Sequence, residues 1–251
     1  MSCIKTLRSM WSSYVSQCYG VVGITNQTST QWRNMTTDKR FNFNDITDFE
    51  KHIELSIPNF LTLDNIFRNI AHEYAQPESA VVDLGCSTGR FLTSLNQIPT
   101  CEYIGIDTVD MEQRRDGFRF VLGDAEEILS NIQQPSVLVS MFFLQFLGQH
   151  QRKRVLDIIK PMLDAGAILL ISEKVFLNDP RLQQIIHKLH IQEKRKGFTD
   201  TEILDKDLKL SVSMYCKTEQ ELMTELNKIG VVSKVWQSFN FMGYMVKGRQ
   251  T

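Results

Sequence analysis

A glycine-containing loop after an apolar run has the residue types and spacing of a ligand-binding turn. The run Ala80 to Leu84 is short and rich in β-branched residues, which is typical of a central parallel strand buried on both faces. In the loop that follows, Gly85 permits a tight turn with close approach of the backbone to a ligand, and Gly89 permits close packing of the next helix. The loop lacks the middle glycine of a G-x-G-x-x-G cradle and the Gly-Lys-Ser/Thr of Walker A. It therefore predicts a different ligand site, with an ordinary strand-to-helix turn as the alternative.

Acidic residues end the next two predicted strands. Asp107 closes the run Tyr103 to Asp107, about 20 residues after the loop, where a carboxylate can accept both ribose hydroxyls of a nucleoside. Asp124 follows the run Phe118 to Leu122. Taken alone, each acid is equally well explained as a loop residue in solvent or as a helix N-cap. Together with Asp83, they place carboxylates at the carboxyl ends of parallel strands, where open α/β sheets bind ligands, and so predict an adenosyl site.

The loop resembles motif I of the class I S-adenosylmethionine (SAM)-dependent transferases, and further segments resemble the carboxy-S-adenosylmethionine synthase family. These segments follow one another in the family's order: Ser56-Ile57-Pro58, Val82-Asp83-Leu84-Gly85-Cys86-Ser87, Leu144-Gln145-Phe146-Leu147, Ser172-Glu173-Lys174, Lys194-Arg195, Gly197-Phe198, Glu202-Ile203 and Phe239-Asn240-Phe241. The resemblance covers about Phe41 to Gly248. That family carboxylates SAM with prephenate as the carboxyl donor, and its product is used to modify wobble uridine in bacterial tRNA.

The resemblance implies a fold, a cofactor and an assembly. The fold is the α/β class I methyltransferase (Rossmann-like) fold, a doubly wound, mostly parallel seven-stranded sheet with an antiparallel C-terminal hairpin. The cofactor is SAM or a carboxylated or otherwise modified derivative, and the assembly is a homodimer. The residues implied to contact the cofactor are Phe60, Asp83, Gly85, Cys86, Ser87, Gly89, Asp107, Thr108, Asp124, Ala125 and Met141.

Three positions depart from the family pattern. Where the family has an arginine that pairs with the new carboxylate, this chain has Asp207, with Lys206 beside it as a candidate replacement. Phe60 replaces a tyrosine on the cofactor side, and Met141 replaces an asparagine. An aspartate would repel a bound carboxylate, by about 4 kcal/mol at a separation of about 4 Å and an effective dielectric of about 20. We therefore assign Lys206 and Asp207 to the substrate pocket and expect that pocket to differ from the family's.

These departures favour a methyltransferase that uses plain SAM on a small-molecule or RNA acceptor. The alternatives are a carboxy-SAM synthase with a rearranged anion site and a non-catalytic adenosyl-binding or partner-binding module. No catalytic residue is evident from the sequence. Glu173, at a strand end, and His150, at a strand-to-helix turn, are weak candidates. For Glu173 an internal ion pair with Lys174 is the competing interpretation, and for His150 an ordinary position at a helix N-terminus is the favoured one.

The elements that must position these residues alternate between strand and helix, which predicts a doubly wound α/β sheet. Predicted helices span 47–57, 62–74, 149–162, 180–194 and 218–229, and predicted strands span 80–84, 103–107, 118–122, 136–143, 167–175, 231–238 and 241–246. The segment between the second and third strands is short, so a crossover helix is truncated or missing there. Residues 1–40 are rich in Ser, Thr, Gln and Asn, and we predict an irregular N-terminal extension before a SAM-binding domain over 41–251.

The charge balance narrows the classes of partner. Lys and Arg number 28 against 29 Asp and Glu, which argues against broad electrostatic binding of nucleic acid and in particular against a DNA-binding role. The basic run of Lys188, Lys194, Arg195 and Lys196 could contact RNA or an anionic substrate, and a solvated helix face is the favoured interpretation. No apolar run reaches the roughly 18 residues that span a bilayer, so no membrane association is predicted.

The cysteines and histidines predict neither a disulfide framework nor a metal site. The five cysteines are scattered without a C-x-x-C pair, which suits reduced thiols in a cytoplasmic protein. His187 and His190 lie three apart, but no third ligand has suitable spacing.

Overall fold

The computed structural model describes residues 48–249. The predicted extension over 1–40 lies outside the described residues. The helices are α1 (Phe49–Ser56), α2 (Phe60–Tyr74), α3 (Arg90–Thr93), α4 (Ala125–Leu129), α5 (Gln149–Asp164), α6 (Pro180–Lys194), α7 (Asp200–Ser213) and α8 (Glu219–Ile229). The strands are β1 (Ala80–Leu84), β2 (Glu102–Asp107), β3 (Arg119–Leu122), β4 (Pro135–Met141), β5 (Ile168–Phe176), β6 (Lys217–Thr218), β7 (Val231–Ser238) and β8 (Phe241–Lys247). None of the described helices is long and apolar enough to cross a membrane.

The strands form one sheet in the order β3-β2-β1-β4-β5-β8-β7. The first five of these are parallel, and β8 runs antiparallel to both β5 and β7. This arrangement confirms the predicted doubly wound, mostly parallel sheet with an antiparallel C-terminal hairpin. The difference is the two-residue strand β6, which pairs with β5 off the main path and makes the sheet eight-stranded. The strand order reverses between β1 and β4, which is where open α/β sheets form a ligand crevice.

The sheet separates two layers of apolar core. One layer packs against α4, α5 and α8, and the other packs against α2 and α3. Along β1, Val82 and Leu84 enter the first layer, whereas Val81 enters the second. Because side chains alternate along a strand, Asp83 shares the second layer with Val81. The sheet thus buries a carboxylate at the end of a central strand.

Helix α7 was not predicted from the sequence, although its N-terminal signal is present. The Thr199 hydroxyl accepts a hydrogen bond from the Glu202 amide while the Glu202 carboxylate accepts from the Thr199 amide, which is a capping box. The helix buries only Ile203 and Asp207, so its sequence lacks the wide apolar stripe by which helices are recognised. The short segment between β2 and β3 forms turns without a described helix, as predicted.

A buried ion network joins the first-layer helices to the sheet. Arg152 on α5 donates to Glu173 on β5 at 2.6 Å, and both side chains are almost completely buried. The same guanidinium contacts Glu225 on α8, which also pairs with Lys217. The network fixes α5 and α8 relative to the C-terminal half of β5.

We expect Arg152→Met to lower the free energy of unfolding by about 3–5 kcal/mol, because it leaves Glu173 buried without its cation. Urea denaturation at neutral pH measures the loss. Lys153→Met, at the exposed neighbouring residue, is the matched control and should change stability little. An Arg152→Met/Glu173→Leu double variant should be more stable than Arg152→Met alone, and the opposite result would contradict the proposed role of the pair.

Candidate functional site

The glycine loop after β1 is closed between two aromatic rings. Gly85 and Gly89 have φ angles of +72° and +76°, which favour glycine at both positions. A Cβ atom at Gly85 would lie 2.5 Å from the ring of Phe143, and one at Gly89 would lie 2.1 Å from the ring of Phe118. The loop conformation therefore depends on both glycines, and it aims the loop's backbone at the carboxyl edge of the sheet.

Asp107 links this loop to the end of β2. One carboxylate oxygen accepts from the Ser87 amide at 2.9 Å, and the other accepts from the Val109 amide at 3.0 Å. Burial raises the pKa of Asp107, and these backbone donors oppose that rise. The Ser87 hydroxyl is buried and has no hydrogen-bond partner among the described residues. The predicted ribose-binding acid thus lies directly beside the glycine loop, as its position in the sequence predicts.

Asp83 is a buried carboxyl group whose environment disfavours its ionised form. Burial raises its pKa well above the ordinary value, and the negative charges of Asp107 and Asp64 add to the rise. Asp64 has its own partner, since Arg68 donates to it at 3.1 Å. The environment of Asp83 therefore favours a neutral acid, and a ligand that carried a positive charge nearby would restore the ionised form.

Asp124 is the N-cap of α4, which is the alternative that its sequence position left open. One oxygen accepts from the Glu126 amide at 2.8 Å, and the other accepts from the Gln151 side chain at 2.6 Å. Each carboxylate oxygen can accept a second hydrogen bond, so Asp124 can cap the helix and also accept a hydrogen bond from a ligand. Ala125 is buried behind it, and Thr108, after β2, is exposed.

The remaining predicted cofactor residues have mixed environments. Phe60 is buried at the start of α2, with the Arg90 guanidinium 5.4 Å from its ring centroid. Met141 is half-buried at the end of β4, opposite Ser172 of β5. Cys86 is buried, and burial together with the neighbouring aspartates raises the pKa of its thiol. A thiolate nucleophile at Cys86 is therefore disfavoured.

Helix α1 contacts the loop through two acids that the sequence analysis did not select. The Glu50 carboxylate pairs with Arg115 at 2.6 Å and accepts from the Thr88 hydroxyl at 3.3 Å. Glu54 pairs with Arg90 at 2.7 Å. The four-residue spacing of Glu50 and Glu54 on a predicted helix was the available signal, because it places both acids on one face.

The two weak catalytic candidates are not brought together. Glu173 is completely buried in the ion network with Arg152, so the internal ion pair is what the structure contains, although its partner is not the neighbouring Lys174. Alternation along β5 places Lys174 on the opposite face of the sheet from Glu173. His150 lies exposed in the first turn of α5. Neither residue has the surroundings expected of a general base at the cofactor edge.

The two substrate-pocket candidates lie in a basic region between α1, α6 and α7. Asp207 pairs with Lys194 at 2.8 Å, and both side chains are buried. The solvated-face interpretation of the basic run is therefore wrong for Lys194, because α6 turns this residue towards α7. The Lys206 amine contacts the Ser56 hydroxyl at 2.6 Å and His52 Nε2 at 2.5 Å.

The chemistry of the described residues suits an organic cofactor. No group of three metal-ligating side chains occurs within residues 48–249. The buried Asp83 carboxylate, the unpartnered Ser87 hydroxyl and the carboxylate of Asp107 fit a ligand with hydroxyls and a positively charged group. A nucleoside that carries an amino-acid ammonium and a sulfonium has these properties.

Comparison with known proteins finds similarity to methyltransferases and to carboxy-S-adenosyl-L-methionine synthases. Residues 60–208 match the model of the FtsJ-like methyltransferases. The carboxy-S-adenosyl-L-methionine synthase of Pseudoalteromonas translucida is 32% identical, and the match covers 81% of this chain and 91% of that protein. The corresponding synthase of Hydrogenovibrio crunogenus is 30% identical over 82% of this chain and 88% of that protein.

Solved structures agree on the fold. The pyocyanin biosynthetic protein PhzM superposes with a TM-score of 0.53 at 12% identity, over 96% of this chain and 68% of that one. The plantazolicin methyltransferase BamL, solved with S-adenosylhomocysteine, also superposes with a TM-score of 0.53 at 12% identity, over 80% and 88%. At these identities the likeness concerns the architecture of the sheet and its helices.

The environment of Lys206 predicts a pH dependence of stability. Burial, followed by the charge of Lys194, lowers the pKa of Lys206 from 10.5 to about 7. Between these two values the unfolded chain binds the proton more tightly than the folded chain, so folding should become more favourable as pH rises from 7 to about 10. In Lys206→Met this contribution is absent. The difference in unfolding free energy, wild type minus variant, should therefore increase over that range by on the order of a few kcal/mol.

Urea denaturation at pH 7, 8, 9 and 10 measures this difference. Lys188→Met, on the exposed face of α6, is the control for the loss of a lysine. Parallel stability curves for wild type and Lys206→Met across the range would contradict the assigned environment of Lys206.

Proposed function

The chain belongs to the carboxy-S-adenosyl-L-methionine synthase family and to the FtsJ-like methyltransferases. We propose that it transfers the methyl group of SAM to a small-molecule or RNA acceptor, because the buried Asp207–Lys194 pair disfavours a carboxylated cofactor. It is a SAM-dependent transferase with the methyltransferase fold. The acceptor and the exact group transferred are the parts that we add by proposal.

In this proposal the residues at the carboxyl edge of the sheet contact different parts of SAM. Asp107 accepts from the ribose hydroxyls, and Asp124 accepts from the adenine amino group. The buried Asp83 carboxylate and the Ser87 hydroxyl serve the amino-acid end, where a positive charge would favour ionised Asp83. Phe60 and Met141 form apolar walls. The loop residues Gly85, Cys86 and Gly89 set the backbone path, and Thr108 and Ala125 flank the two outer acids.

The observation that carries the choice of plain SAM is the buried Asp207–Lys194 pair. Lys194 already has a carboxylate at 2.8 Å, and that carboxylate is fixed by burial. A second carboxylate at about 4 Å from Asp207 would be repelled by about 4 kcal/mol at an effective dielectric of about 20. The methyl sulfonium of SAM lacks this group and is not affected by the repulsion.

Methyl transfer requires mainly that the protein hold the methyl donor and the acceptor in the right relative position. SAM supplies a methyl group that is activated by its sulfonium charge, and the chain must hold it in line with the acceptor and exclude water. The acids near the glycine loop and the apolar side chains of Phe60 and Met141 are suited to these tasks. A general base is needed only when the acceptor carries a proton of high pKa.

Carboxy-SAM synthesis with prephenate is the second candidate, and the relatives favour it. Curated synthases of this family are 28–32% identical over most of the chain. In that case Lys174, Lys194 and Lys206, whose charges act on or respond to Asp207, would have to outweigh the charge of Asp207. A homodimer, a cytoplasmic location and a domain boundary near residue 41 stay predictions from the sequence.

Mass spectrometry of the small molecules that co-purify with the protein distinguishes the two candidates. We expect SAM or S-adenosylhomocysteine. Carboxy-SAM bound after purification, or prephenate-dependent formation of carboxy-SAM from added SAM, would overturn the preference for methyl transfer. The absence of any adenosyl ligand, together with no heat of binding for SAM in calorimetry, would contradict both.

Asp107→Asn should weaken SAM binding by about 10- to 100-fold, because hydrogen bonds to a charged group contribute about 1.5–3 kcal/mol each. Isothermal titration calorimetry measures the dissociation constant, and thermal denaturation checks that the loop contact of Ser87 is retained. Asp116→Asn, in the exposed segment before β3, is the matched control and should bind SAM as the wild type does. Equal affinities of the two variants would rule out the assigned role of Asp107.

A further inference from the structure

Basic side chains from several elements surround one buried acid at the carboxyl end of β5. We call this group the basic cluster; around Asp207 it contains His52 of α1, Lys174 of β5, His187, His190 and Lys194 of α6, and Lys206 of α7. Two further carboxylates lie near the cluster. The exposed Glu202 raises the pKa of His52, whereas Glu173 pairs with Arg152 in the other layer of the core.

The contacts within the cluster are direct. Lys194 donates to Asp207 Oδ1 at 2.8 Å, whereas Asp207 Oδ2 is buried and has no hydrogen-bond partner among the described residues. The Lys206 amine contacts the Ser56 hydroxyl at 2.6 Å, and a ring nitrogen of His190 contacts the Ser56 carbonyl at 2.9 Å. The Asp207 side chain is therefore held by one hydrogen bond from a described residue, and its other oxygen is buried without one.

Electrostatics indicates that the cluster has more positive charge than its acid can balance. Burial and the neighbouring lysines lower the pKa of His187 to about 4 and that of Lys206 to about 7. Burial opposes the ionisation of Asp207, yet Lys194 and Lys174 keep the pKa of Asp207 below its ordinary value. Burial is the largest influence on each of these groups; the lysine charges add to it for His187 and Lys206 and outweigh it for Asp207, whose single carboxylate offsets them only in part.

A simple structural ion pair does not need this arrangement. Burying an ammonium group costs several kcal/mol even after relaxation, and one lysine is enough to balance one aspartate. Here lysines from three separate elements act on the same carboxylate. The cluster also lies at the carboxyl ends of the strands, where α/β sheets bind ligands.

We infer that the basic cluster is an anion-binding site and that Asp207 is its built-in anion, which occupies the place of a small carboxylate. The consequence for substrates rests on the proposed function. With the site filled by its own side chain, donor and acceptor groups that reach the basic cluster carry no carboxylate. Asp207 is then a specificity-determining residue that excludes anionic ligands.

Asp207→Ala with added acetate tests this inference, because the substitution removes a buried carboxylate and acetate supplies a carboxylate on a molecule only one methyl group larger. The variant should have a lower Tm than the wild type. Sodium acetate should raise that Tm by several degrees relative to sodium chloride at the same ionic strength and pH. Acetate should also bind the variant measurably in calorimetry without SAM, while the wild type shows neither effect.

Asp205→Ala is the matched control, since Asp205 lies on the same helix, is exposed and pairs with Lys209 at 2.5 Å. It should show no response to acetate. If Asp207→Ala does not fold in chloride, the yield of folded protein on refolding in acetate against chloride gives the same comparison.

A Lys194→Met/Asp207→Leu double variant separates an anion site from a structural pair. It removes both charges and fills the space with apolar side chains, so it should fold and should not respond to acetate. An equal acetate response in the wild type, in Asp205→Ala or in the double variant would overturn the inference, as would no response in Asp207→Ala. SAM affinity is measured separately on the same proteins. A failure of the proposed SAM binding can then be distinguished from a failure of the anion-site inference.

Discussion

The carboxylate of Asp107 is the interaction on which the cofactor edge depends. Parallel strands end with backbone donors that the sheet no longer satisfies, and Asp107 accepts two of them, from Ser87 in the glycine loop and from Val109 after its own strand. The loop can approach β2 closely because Gly85 and Gly89 have no side chains. The same carboxylate is the group to which we assign the ribose hydroxyls in the proposed function.

Helix α1 couples the cofactor loop to the basic cluster. Its acids Glu50 and Glu54 bind cations beside the loop, while His52 and Ser56 contact Lys206 of α7. The helix is only eight residues long, so its position is determined by these contacts rather than by its own stability.

Charge is separated along the carboxyl edge of the sheet. Acids gather at the ends of β1 and β2, where the charge of Asp107 adds to the effect of burial in raising the pKa of Asp83, and bases gather at the end of β5. A cationic cofactor is complementary to the first region, and the second region retains a positive excess that Asp207 partly balances. The carboxyl edge of the sheet therefore carries opposite charge at its two ends, within a chain of net charge −1.

The sequence by itself determined the sheet, the glycine loop and the order of the acids, because apolar runs, glycines and strand ends are local patterns. It did not determine which charged side chains form ion pairs. Lys194 looks solvated in a basic run and Asp207 looks like an unbalanced acid, yet packing of α6 against α7 joins them across 13 positions. Glu173 likewise finds Arg152 rather than its neighbour Lys174. Burial makes an unpaired charge costly, so partners are chosen by three-dimensional proximity in the packed core, which no local pattern encodes.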